Sequence, residues 1–513
     1  MDLYLTILLG ALAITGVILI KRWRRSEATA SLLPLPPGPP PLPFIGNVLD
    51  VPTFEPWKVY DGLSQTYGDI MHLRVVGQSI IILSSLDAIS DLLDKRSTIY
   101  SERAKSIMLS DLMGVNWAMP VLGYGQAWRK SRKMFHHYFI MNGGRTFQGM
   151  QLDGTRRFLS NLHIDPQNFL AHTRHAVVTT IMRMAYGFDN LYKDHPYVRD
   201  AEGLLAGFCE AAQPGRFYVD FLPFLRFIPA WFPGADFKRK AAVWNEQGEH
   251  VLNHPFDAVK RAMETSSVPP SAVASMLEDM KNSSDKETQE GIARSSAAVS
   301  YAGGSDTTIA TIQMFFLSMV LYPEVQKLAQ DELGSVVPQD RLPDFSDRES
   351  LPYIQALILE LLRWMPVAPL AMPHATAKSD IYKGYHIPKN SVVIANAWSI
   401  LHNPEYYPDP HKFSPERFLK NGKLNPDVLD PTIASFGFGR RICPGRLIAM
   451  DSLYIIIASV LHLFNISPGM DDKGQLLSVE IKTTSGLLVF PNHFSCTIVP
   501  RSHAALSLLT ELH

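Results

Sequence analysis

The stretch Phe436-Gly-Phe-Gly-Arg-Arg-Ile-Cys-Pro-Gly445 places a single cysteine, Cys443, inside a loop rich in glycine and arginine. Gly437, Gly439 and Gly445 can adopt positive φ, and the proline fixes its own φ, so we expect a tight loop. Such a loop can direct backbone N–H groups at the sulfur. The chain has three cysteines among 513 residues, which argues against a disulfide framework or a zinc site here and indicates a reducing compartment.

The surroundings of Cys443 are expected to hold its sulfur as a thiolate. Arg440, Arg441 and Arg446 contribute positive potential, and the apolar residues 447–464 predict a helix whose N-terminus lies close to the sulfur. A buried thiolate without a partner would be costly, so a soft metal is the expected partner. With one protein sulfur and no Cys-x-x-Cys pair, haem iron fits better than zinc or an iron–sulfur cluster.

A longer pattern, Phe-x-x-Gly-x-Arg-x-Cys-x-Gly, is matched at each fixed position by Phe436, Gly439, Arg441, Cys443 and Gly445. In this the chain resembles the cytochromes P-450, the haem-thiolate monooxygenases, and in particular their fungal microsomal members. The resemblance implies a mainly α-helical α+β fold with small β-sheets in one large haem-binding domain. It also implies haem b with Cys443 as the axial iron ligand. A structural cysteine after a glycine-rich turn is the alternative for the loop taken alone.

The composition limits which kinds of partner the chain is expected to have. Hydrophobic residues make up 46% of it and the formal net charge is -1, so a sizeable core is expected and nucleic acid is excluded as the main ligand. No flavin or nicotinamide motif occurs, because Ile442 stands where a dinucleotide-binding turn needs glycine. Electrons should therefore come from NADPH–cytochrome P-450 reductase or from cytochrome b5. The expected docking residues, which could also be ordinary solvated charges, are Arg129, Lys130, Lys133, Arg440 and Arg446.

The N-terminus has the features of a membrane anchor. Residues 3–20 carry no charge and Lys21-Arg-Trp-Arg-Arg25 follows directly. The positive-inside rule then predicts a single-pass protein of the endoplasmic reticulum with a cytoplasmic catalytic domain, whereas a cleaved signal peptide would carry its basic residues first. The proline-rich residues 34–43 predict a stiff hinge, with an SH3-type ligand as the alternative. The predicted organisation is an anchor over 1–25, a hinge over 26–46 and a monooxygenase domain over 47–513.

Hydrophobic patterning predicts the elements that carry the remaining motifs. A hairpin is expected from Ile70–Val75 and residues 79–83. Residues 281–289 are polar and are expected to form a loop. Helices are expected over residues 85–94, over most of 150–265, and over 290–321 and 353–364.

The helix predicted over 290–321 contains Ala302-Gly-Gly-Ser-Asp-Thr-Thr308. Two adjacent glycines cost a helix roughly 2 kcal/mol, so we expect a groove or bulge with a functional role. The run is similar to the oxygen-binding motif of the P-450 family. That resemblance implies that Gly303 lies at the haem, that Thr307 hydrogen-bonds dioxygen and that Asp306 belongs to a proton relay. Close packing of a second helix is the alternative reason for the glycines.

Several residues are expected to hold the haem or the core beneath it. Trp128 and Arg132 are four residues apart on a predicted helix, so they share a face that suits a carboxylate. The resemblance makes this carboxylate a haem propionate, with His374 and Arg441 as further donors and Phe436 as another cofactor contact.

A second group is expected to be structural. Glu360 and Arg363 are three residues apart and can pair on one helix face. The resemblance implies that Arg417, in the stretch Phe413-Ser-Pro-Glu-Arg-Phe418, joins them in a cluster that locks the core on the cysteine side of the haem.

The substrate side is expected to be apolar. The resemblance places the loop 107–122, the segment 367–373 and the turn 484–486 around the substrate, which indicates a lipophilic compound. Residues 217–233 are rich in aromatics and prolines and predict either packed core or a second membrane contact. The predicted pocket residues are Met108, Leu112, Met113, Val367, Leu370, Met372 and Ser485.

The function expected from this resemblance is insertion of one oxygen atom from O2 into a lipophilic small molecule, by hydroxylation or epoxidation. The fungal likeness suggests secondary metabolism, for example of terpenoids. Two alternatives remain open: a haem-thiolate isomerase or dehydratase that does not use O2, and a non-catalytic haem sensor or carrier. Asp306 and Thr307 argue against both, because neither alternative needs an oxygen-activating motif.

Overall fold

The structure, a computed structural model, describes residues 33–512 except 190, 193–194, 214, 266–267, 282 and 472. The predicted anchor over 1–25 and the start of the predicted hinge lie outside the described residues. The described part is rich in helix and confines its strands to small sheets, so the mainly α-helical α+β class is confirmed.

Sixteen α-helices occur among the described residues. The first eight are α1 (Pro56–Tyr67), α2 (Leu86–Ile89), α3 (Ser97–Tyr100), α4 (Gln126–Phe135), α5 (Gly144–Ile164), α6 (Phe169–Tyr186), α7 (Pro196–Ala211) and α8 (Asp236–Thr265). The others are α9 (Ala272–Asp279), α10 (Lys286–Leu321), α11 (Pro323–Val336), α12 (Pro352–Trp364), α13 (Ala397–Leu401), α14 (Thr432–Ser435), α15 (Arg446–Leu463) and α16 (His503–Glu511).

Shorter helical turns join these helices. The π-helical turns are Ser90–Lys95, Met108–Leu112 and His136–Met141. The 3-10 turns are Val48–Asp50, Val115–Trp117, Pro166–Asn168, Tyr218–Asp220, Pro223–Phe227, Arg348–Ser350, Pro415–Phe418 and Gly439–Arg441. The helix predicted over 85–94 is thus α2 continued by a π-helical turn.

The main sheet has the strand order β1-β2-β6-β3. Strands β1 and β2 form the predicted hairpin, β6 runs parallel to β2, and β3 pairs with β6 so that His374 lies opposite Val393. The strands are β1 (Ile70–Val75), β2 (Gln78–Leu83), β3 (His374–Ala375), β4 (Asp380–Tyr382), β5 (Tyr385–Ile387), β6 (Val392–Ala395), β7 (Leu419–Lys420), β8 (Lys423–Leu424), β9 (Phe464–Pro468) and β10 (Cys496–Pro500).

Helix α10 is the centre of the core. It packs against α4, α6, α8 and α15, and its residues 308–320 are all buried, as expected for a helix enclosed by others. Phe315 and Phe316 are fully buried, and each contributes about 2–3 kcal/mol by leaving water. Because α10 and α15 pack together, the motif that begins at Ala302 is held near the cysteine loop that precedes α15.

One local prediction about α10 is wrong. The helix begins at Lys286, inside the polar stretch expected to be a loop, because polar residues on an exposed first turn need no core to be helical. The helix predicted over 290–321 is confirmed, and it continues through Gly303, Gly304 and Thr307 without a bulge. Packing from surrounding helices outweighs the unfavourable propensity of these residues.

Helix α15 is the one helix among the described residues that is long and apolar enough by itself to cross a bilayer. It is enclosed in the core and directly follows the cysteine loop, so we read it as a core helix. Helices α10 and α11 meet the same criterion only as a pair bent by 105°.

Candidate active site

The cysteine loop is shaped by two glycines in left-handed conformations. Gly437 and Gly439 have φ of 77° and 55°, and a Cβ at Gly439 would overlap the carbonyl oxygen of Leu93. The Cys443 N–H donates to the carbonyl of Phe436 at 2.8 Å, which closes the loop. Gly445 has φ of −88°, so the positive φ considered for it is wrong.

Burial and polar contacts act in opposite directions on Cys443. Burial raises the pKa of its thiol, although backbone N–H groups of Gly445 and Arg446 and the charges of Arg132 and Arg446 lower it. The loss of water outweighs these contacts while no metal ion is bound. A bound metal ion would displace the proton, since thiols coordinate metals in the deprotonated form.

The two glycines of α10 have different surroundings. A Cβ at Gly304 would lie 3.2 Å from Ile181 Cδ1 of α6, so this glycine permits close helix packing. A Cβ at Gly303 would meet nothing within 4 Å. Thr307 donates its hydroxyl to the Gly303 carbonyl at 2.9 Å, one turn earlier on the same face. Gly304 therefore fits the packing alternative, whereas Gly303 and Thr307 border open space and their functional role stays a prediction.

Asp306 projects to another side of α10. Its carboxylate accepts from Arg174 Nη1 of α6 at 3.1 Å, and the same nitrogen lies 3.2 Å from Glu202 Oε1 of α7. All three line a cavity of about 660 Å³ between α6, α7 and α10. Burial raises the pKa of Asp306, although the charge and hydrogen bond of Arg174 lower it. Arg174 and Glu202 were not identified in the sequence, because no local pattern marks them.

Several cationic side chains gather where the propionate contacts were predicted. Arg441 donates to the carbonyls of Ser101 at 2.9 Å and Leu122 at 2.8 Å, and its guanidinium lies 4.8 Å from the Trp128 ring. Arg132 donates to the Ile442 carbonyl at 2.5 Å. These contacts fix the arginines against backbone on two sides of the site.

Arg103 is a further member of this group that the sequence did not reveal. It is buried and donates to the carbonyls of Pro120 at 2.9 Å and of Met372 and Pro373 at 2.7 Å. Burial and the neighbouring Arg441 lower its pKa to about 9. Burial lowers the pKa of Arg441 to about 10. The neighbouring Glu102 raises this pKa, and Arg132 lowers it further. Such an excess of buried positive charge calls for an anionic ligand.

His374 is brought to the same group by strand β3. Its Nδ1 lies 2.7 Å from the Tyr100 carbonyl and therefore carries a proton. Burial lowers the pKa of the imidazole well below its ordinary value, and Arg103 and Arg441 lower it further. Donation to a propionate would require a second proton, on Nε2, which the negative charge of the propionate would favour. The predicted role of His374 stays a prediction.

The structural cluster forms as expected. Glu360 accepts from Arg363 Nε at 2.7 Å and Nη2 at 2.8 Å, and from Arg417 Nε at 3.2 Å. Ser414 N donates to the same carboxylate at 2.8 Å, and Glu360 and Arg363 are completely buried. Helix α12 is thereby tied to the segment 408–417.

The predicted substrate residues lie on three segments with different surroundings. Met108 and Met113 are buried in the core and Leu112 packs against it. The Val367 carbonyl accepts from Val489 N at 2.8 Å, next to the half-buried Leu370 and Met372. Ser485 accepts from Glu55 N at 2.8 Å, so its hydroxyl is already engaged by the protein.

Residues 36–491 match the family model for cytochrome P450. The chain belongs to the cytochrome P450 family. It is therefore a haem-thiolate monooxygenase by class. The cationic group fits the two propionates of haem, and open space borders Gly303.

Curated fungal relatives cover nearly the whole chain. Cytochrome P450 monooxygenase COX1 of Coprinopsis cinerea is 42% identical over 93% of this chain and 94% of its own length. Tryptamine 4-monooxygenase of Psilocybe cyanescens is 39% identical over 98% of the chain and 99% of its own length. Cytochrome P450 monooxygenase ple1 of Rhodocybe pseudopiperita is 38% identical over 97% and 95%. These relatives support a haem monooxygenase of fungal secondary metabolism.

A basic surface lies beside the cysteine loop of this P450. Arg129, Lys130, Lys133, Arg440 and Arg446 are all exposed. Tyr124 organises part of this surface: Arg440 donates to its hydroxyl, and the guanidinium of Arg129 lies 5.1 Å from its ring.

Proposed function

We propose that this P450 uses O2 to hydroxylate or epoxidise a lipophilic small molecule of fungal secondary metabolism, such as a terpenoid. The observation that carries this proposal is that Cys443 lies beside an excess of buried positive charge, while α10, which packs on the helix directly after the cysteine loop, has open space at Gly303. When bound there, haem supplies the oxygen activation. The protein's own residues hold the haem, exclude bulk water and handle protons.

Cys443 would hold the iron, and the loop would keep the sulfur at one position relative to α10. Trp128, Arg132 and Arg441 would hold the propionates, with Arg103 adding positive charge behind them. This assignment is supported by the convergence of these side chains from α4, the cysteine loop and the segment after α3. Neutralising buried arginines with two carboxylates would make haem binding favourable.

Thr307 and Asp306 would handle protons on two different sides of one helix turn. The Thr307 hydroxyl donates its proton to Gly303 O and can therefore direct a lone pair into the open space beside the glycine, and it could donate there only after rotating away from that carbonyl. Asp306 faces the cavity that it shares with Glu202, and Arg174 holds its carboxylate there. An isomerase or a haem carrier would have no use for this arrangement, so it favours the monooxygenase.

NADPH–cytochrome P450 reductase is the proposed electron donor, with cytochrome b5 as a second one. The five exposed basic residues beside the cysteine loop would meet its acidic surface by charge complementarity. Reversing Lys133 to Glu should lower the rate of first electron transfer, and the deficit should shrink at high salt. A variant reduced at the parent rate at low ionic strength would remove this surface from consideration.

Attachment to the endoplasmic reticulum is proposed through an anchor over 1–25, with the catalytic domain in the cytoplasm. Support comes from the segment 217–233, in which four aromatic side chains are exposed: Tyr218, Phe224, Phe227 and Trp231. The prediction that this segment is packed core is therefore wrong for these four residues. Exposed Phe44 and Leu49 extend the apolar surface toward the hinge. Deleting residues 1–25 should weaken microsome binding, and the exposed aromatics should retain part of it.

The function is tested by spectroscopy and by turnover. Cys443→Ala should abolish the red-shifted Soret band of the reduced CO complex, and survival of that band would refute the ligand assignment. With reductase, NADPH and a panel of terpenoid, aromatic and fatty-acid compounds, mass spectrometry should find a product heavier by one oxygen atom. A product formed without O2 and NADPH would instead identify an isomerase or dehydratase.

A further inference from the structure

A cavity of about 660 Å³ lies between α6, α7 and α10, and its volume is in the range of sites that bind small molecules. The described residues that line it include neither Gly303 nor Thr307, and none of the predicted substrate residues. It therefore borders a different part of α10 from the open space at Gly303. Most of its walls are apolar, with the side chains of Leu170, Val178, Leu191, Val198, Leu488 and Phe490.

One arginine is shared by two carboxylates in this cavity. Arg174 Nη1 donates to Asp306 Oδ1 at 3.1 Å and to Glu202 Oε1 at 3.2 Å. The second oxygen of each carboxylate has no hydrogen bond or ion pair to another residue that the structure describes. His175 also lines the cavity, but its Nε2 is engaged with the Leu191 carbonyl at 2.9 Å. The three charged side chains thus leave one negative charge in excess and two free acceptor oxygens.

The negative charge in the cavity affects its neighbours. Burial raises the pKa of the lining residue Cys209 to about 12, and the charge of Asp306 adds to this, although a hydrogen bond from Leu488 N lowers it. Burial also raises the pKa of Asp306 itself, although Arg174 lowers it. A cation beside Asp306 would lower both pKa values, because it would compensate the negative charge. The cavity therefore favours a positively charged ligand over a neutral or a negatively charged one.

A second polar group, the amide of Gln313, lies on the same face of α10 two turns after Asp306. This spacing corresponds to about 10 Å along the helix axis. Gln313 is only 8% exposed and lines the cavity, and its side-chain amide has no hydrogen bond to another described residue. A buried amide without a partner is unfavourable, so it calls for a hydrogen-bonding group inside the cavity.

The charged end of the cavity is open to solvent. The side chains of Glu202 and Arg174 are 42% and 35% exposed, whereas that of Asp306 is 15% exposed. A ligand can therefore enter beside Glu202 and place its apolar part between the leucine and valine side chains. Its cationic group would then stay at the two carboxylates.

We propose that this cavity is a second ligand site, separate from the substrate side, which binds a lipophilic amine. The ammonium group would lie between Glu202 and Asp306, the apolar chain along the walls, and a hydrogen-bonding group at the amide of Gln313. Binding does not depend on the proposed function. An amine bound there would keep Asp306 ionised and would thereby affect its proposed proton role.

The test compares 7-amino-1-heptanol with 1,7-heptanediol, which has the same length and no charge. Binding is measured by isothermal titration calorimetry on the full-length holoenzyme at about pH 8, where the amine is still charged. The haem iron is blocked with 4-phenylimidazole, because a free amine can itself coordinate iron. The amine should bind at least about ten-fold more tightly than the diol, because hydrogen bonds between charged groups are worth that factor or more.

Variants at the charged end test the role of the carboxylates. Glu202→Gln should weaken binding of the amine by about five-fold, since this partly exposed carboxylate is screened by solvent, and should change binding of the diol by less than about two-fold. Glu246→Gln is the matched control, because it removes the same charge from an exposed position on α8 outside the cavity. Equal effects of the two variants would show that general charge attracts the amine and would overturn the site.

A variant at the buried amide tests the other end. Gln313→Leu should weaken 7-amino-1-heptanol by about five-fold and should leave heptylamine, which lacks the hydroxyl group, within about two-fold of the parent value. If Gln313→Leu lost its CO spectrum through misfolding, the partly exposed Glu202→Gln would still decide the question. Absence of amine binding, equal binding of amine and diol, or displacement of 4-phenylimidazole by the amine would each overturn the second site. An intact CO spectrum keeps these outcomes separate from the assignment of the iron ligand.

Discussion

Replacing Glu360 with glutamine should destabilise this P450 more than any surface substitution. The Glu360 carboxylate is completely buried and accepts four hydrogen bonds: two from Arg363, one from Arg417 and one from Ser414 N. Glutamine has nearly the same volume, so packing is kept. It removes the negative charge and turns one acceptor into a donor that faces a guanidinium.

The expected magnitude follows from these contacts. Removing one partner of a buried ion pair leaves an uncompensated charge and costs about 3–5 kcal/mol. Arg363 retains its bonds to the carbonyls of Leu401, Pro410 and Lys412, so we expect the middle of this range. About 4 kcal/mol lowers the ratio of folded to unfolded protein roughly 700-fold. For a chain of this length it lowers the midpoint of thermal unfolding by about 4 °C.

The assay is urea unfolding of the haem-loaded protein, followed by circular dichroism and by the Soret band. Glu278→Gln is the matched control, since its ion pair with Lys281 is about 60% exposed on both sides and should contribute less than about 1 kcal/mol. The variant should also incorporate less haem during expression. If Glu360→Gln lost less than about 1 kcal/mol, the reasoning from buried charge would be refuted.

Three further changes test the site from other directions. Thr307→Ala should keep haem and the CO band but release more hydrogen peroxide per NADPH consumed, and unchanged coupling would count against its proton role. Gly439→Ala should cost about 2–4 kcal/mol in urea unfolding, from its φ of 55° and backbone overlap, whereas Gly445→Ala, at φ −88°, should cost under about 1 kcal/mol. Burial raises the pKa of Asp306 above its unfolded value of about 3.9, although Arg174 lowers it. The folded protein therefore loses stability as pH rises from the unfolded pKa through the folded pKa, because the buried carboxyl group must ionise. Asp306→Asn should therefore match the parent near pH 4 and unfold at a higher temperature at pH 7; a lower one would contradict the sign.

The parts of the site carried by short motifs were predictable. The cysteine loop, the motif from Ala302 to Thr308 and the Glu360–Arg363 pair each place their residues within one turn or one loop, so spacing alone sets the geometry. The structure brings Arg417 to Glu360 as expected, at 3.2 Å.

The parts that depend on distant segments were not predictable. Arg103, Arg174 and Glu202 carry no motif, and their partners lie between 17 and 270 residues away in the chain. Whether Gly303 or Gly304 faces open space depends on which side of α10 meets Ile181 of α6. The protonation of Cys443 depends on how much water the surrounding helices exclude.

The amino-acid sequence by itself placed the candidate iron-binding cysteine in a tight loop and predicted the long helix over 290–321, because those features depend on local spacing and hydrophobic period, while the class of fold followed from the resemblance to the family. Only the tertiary structure decided which charges are buried together and which glycine borders open space. The physical reason is that burial and long-range pairing are properties of packed surfaces, and a surface exists only after segments far apart in the chain have met.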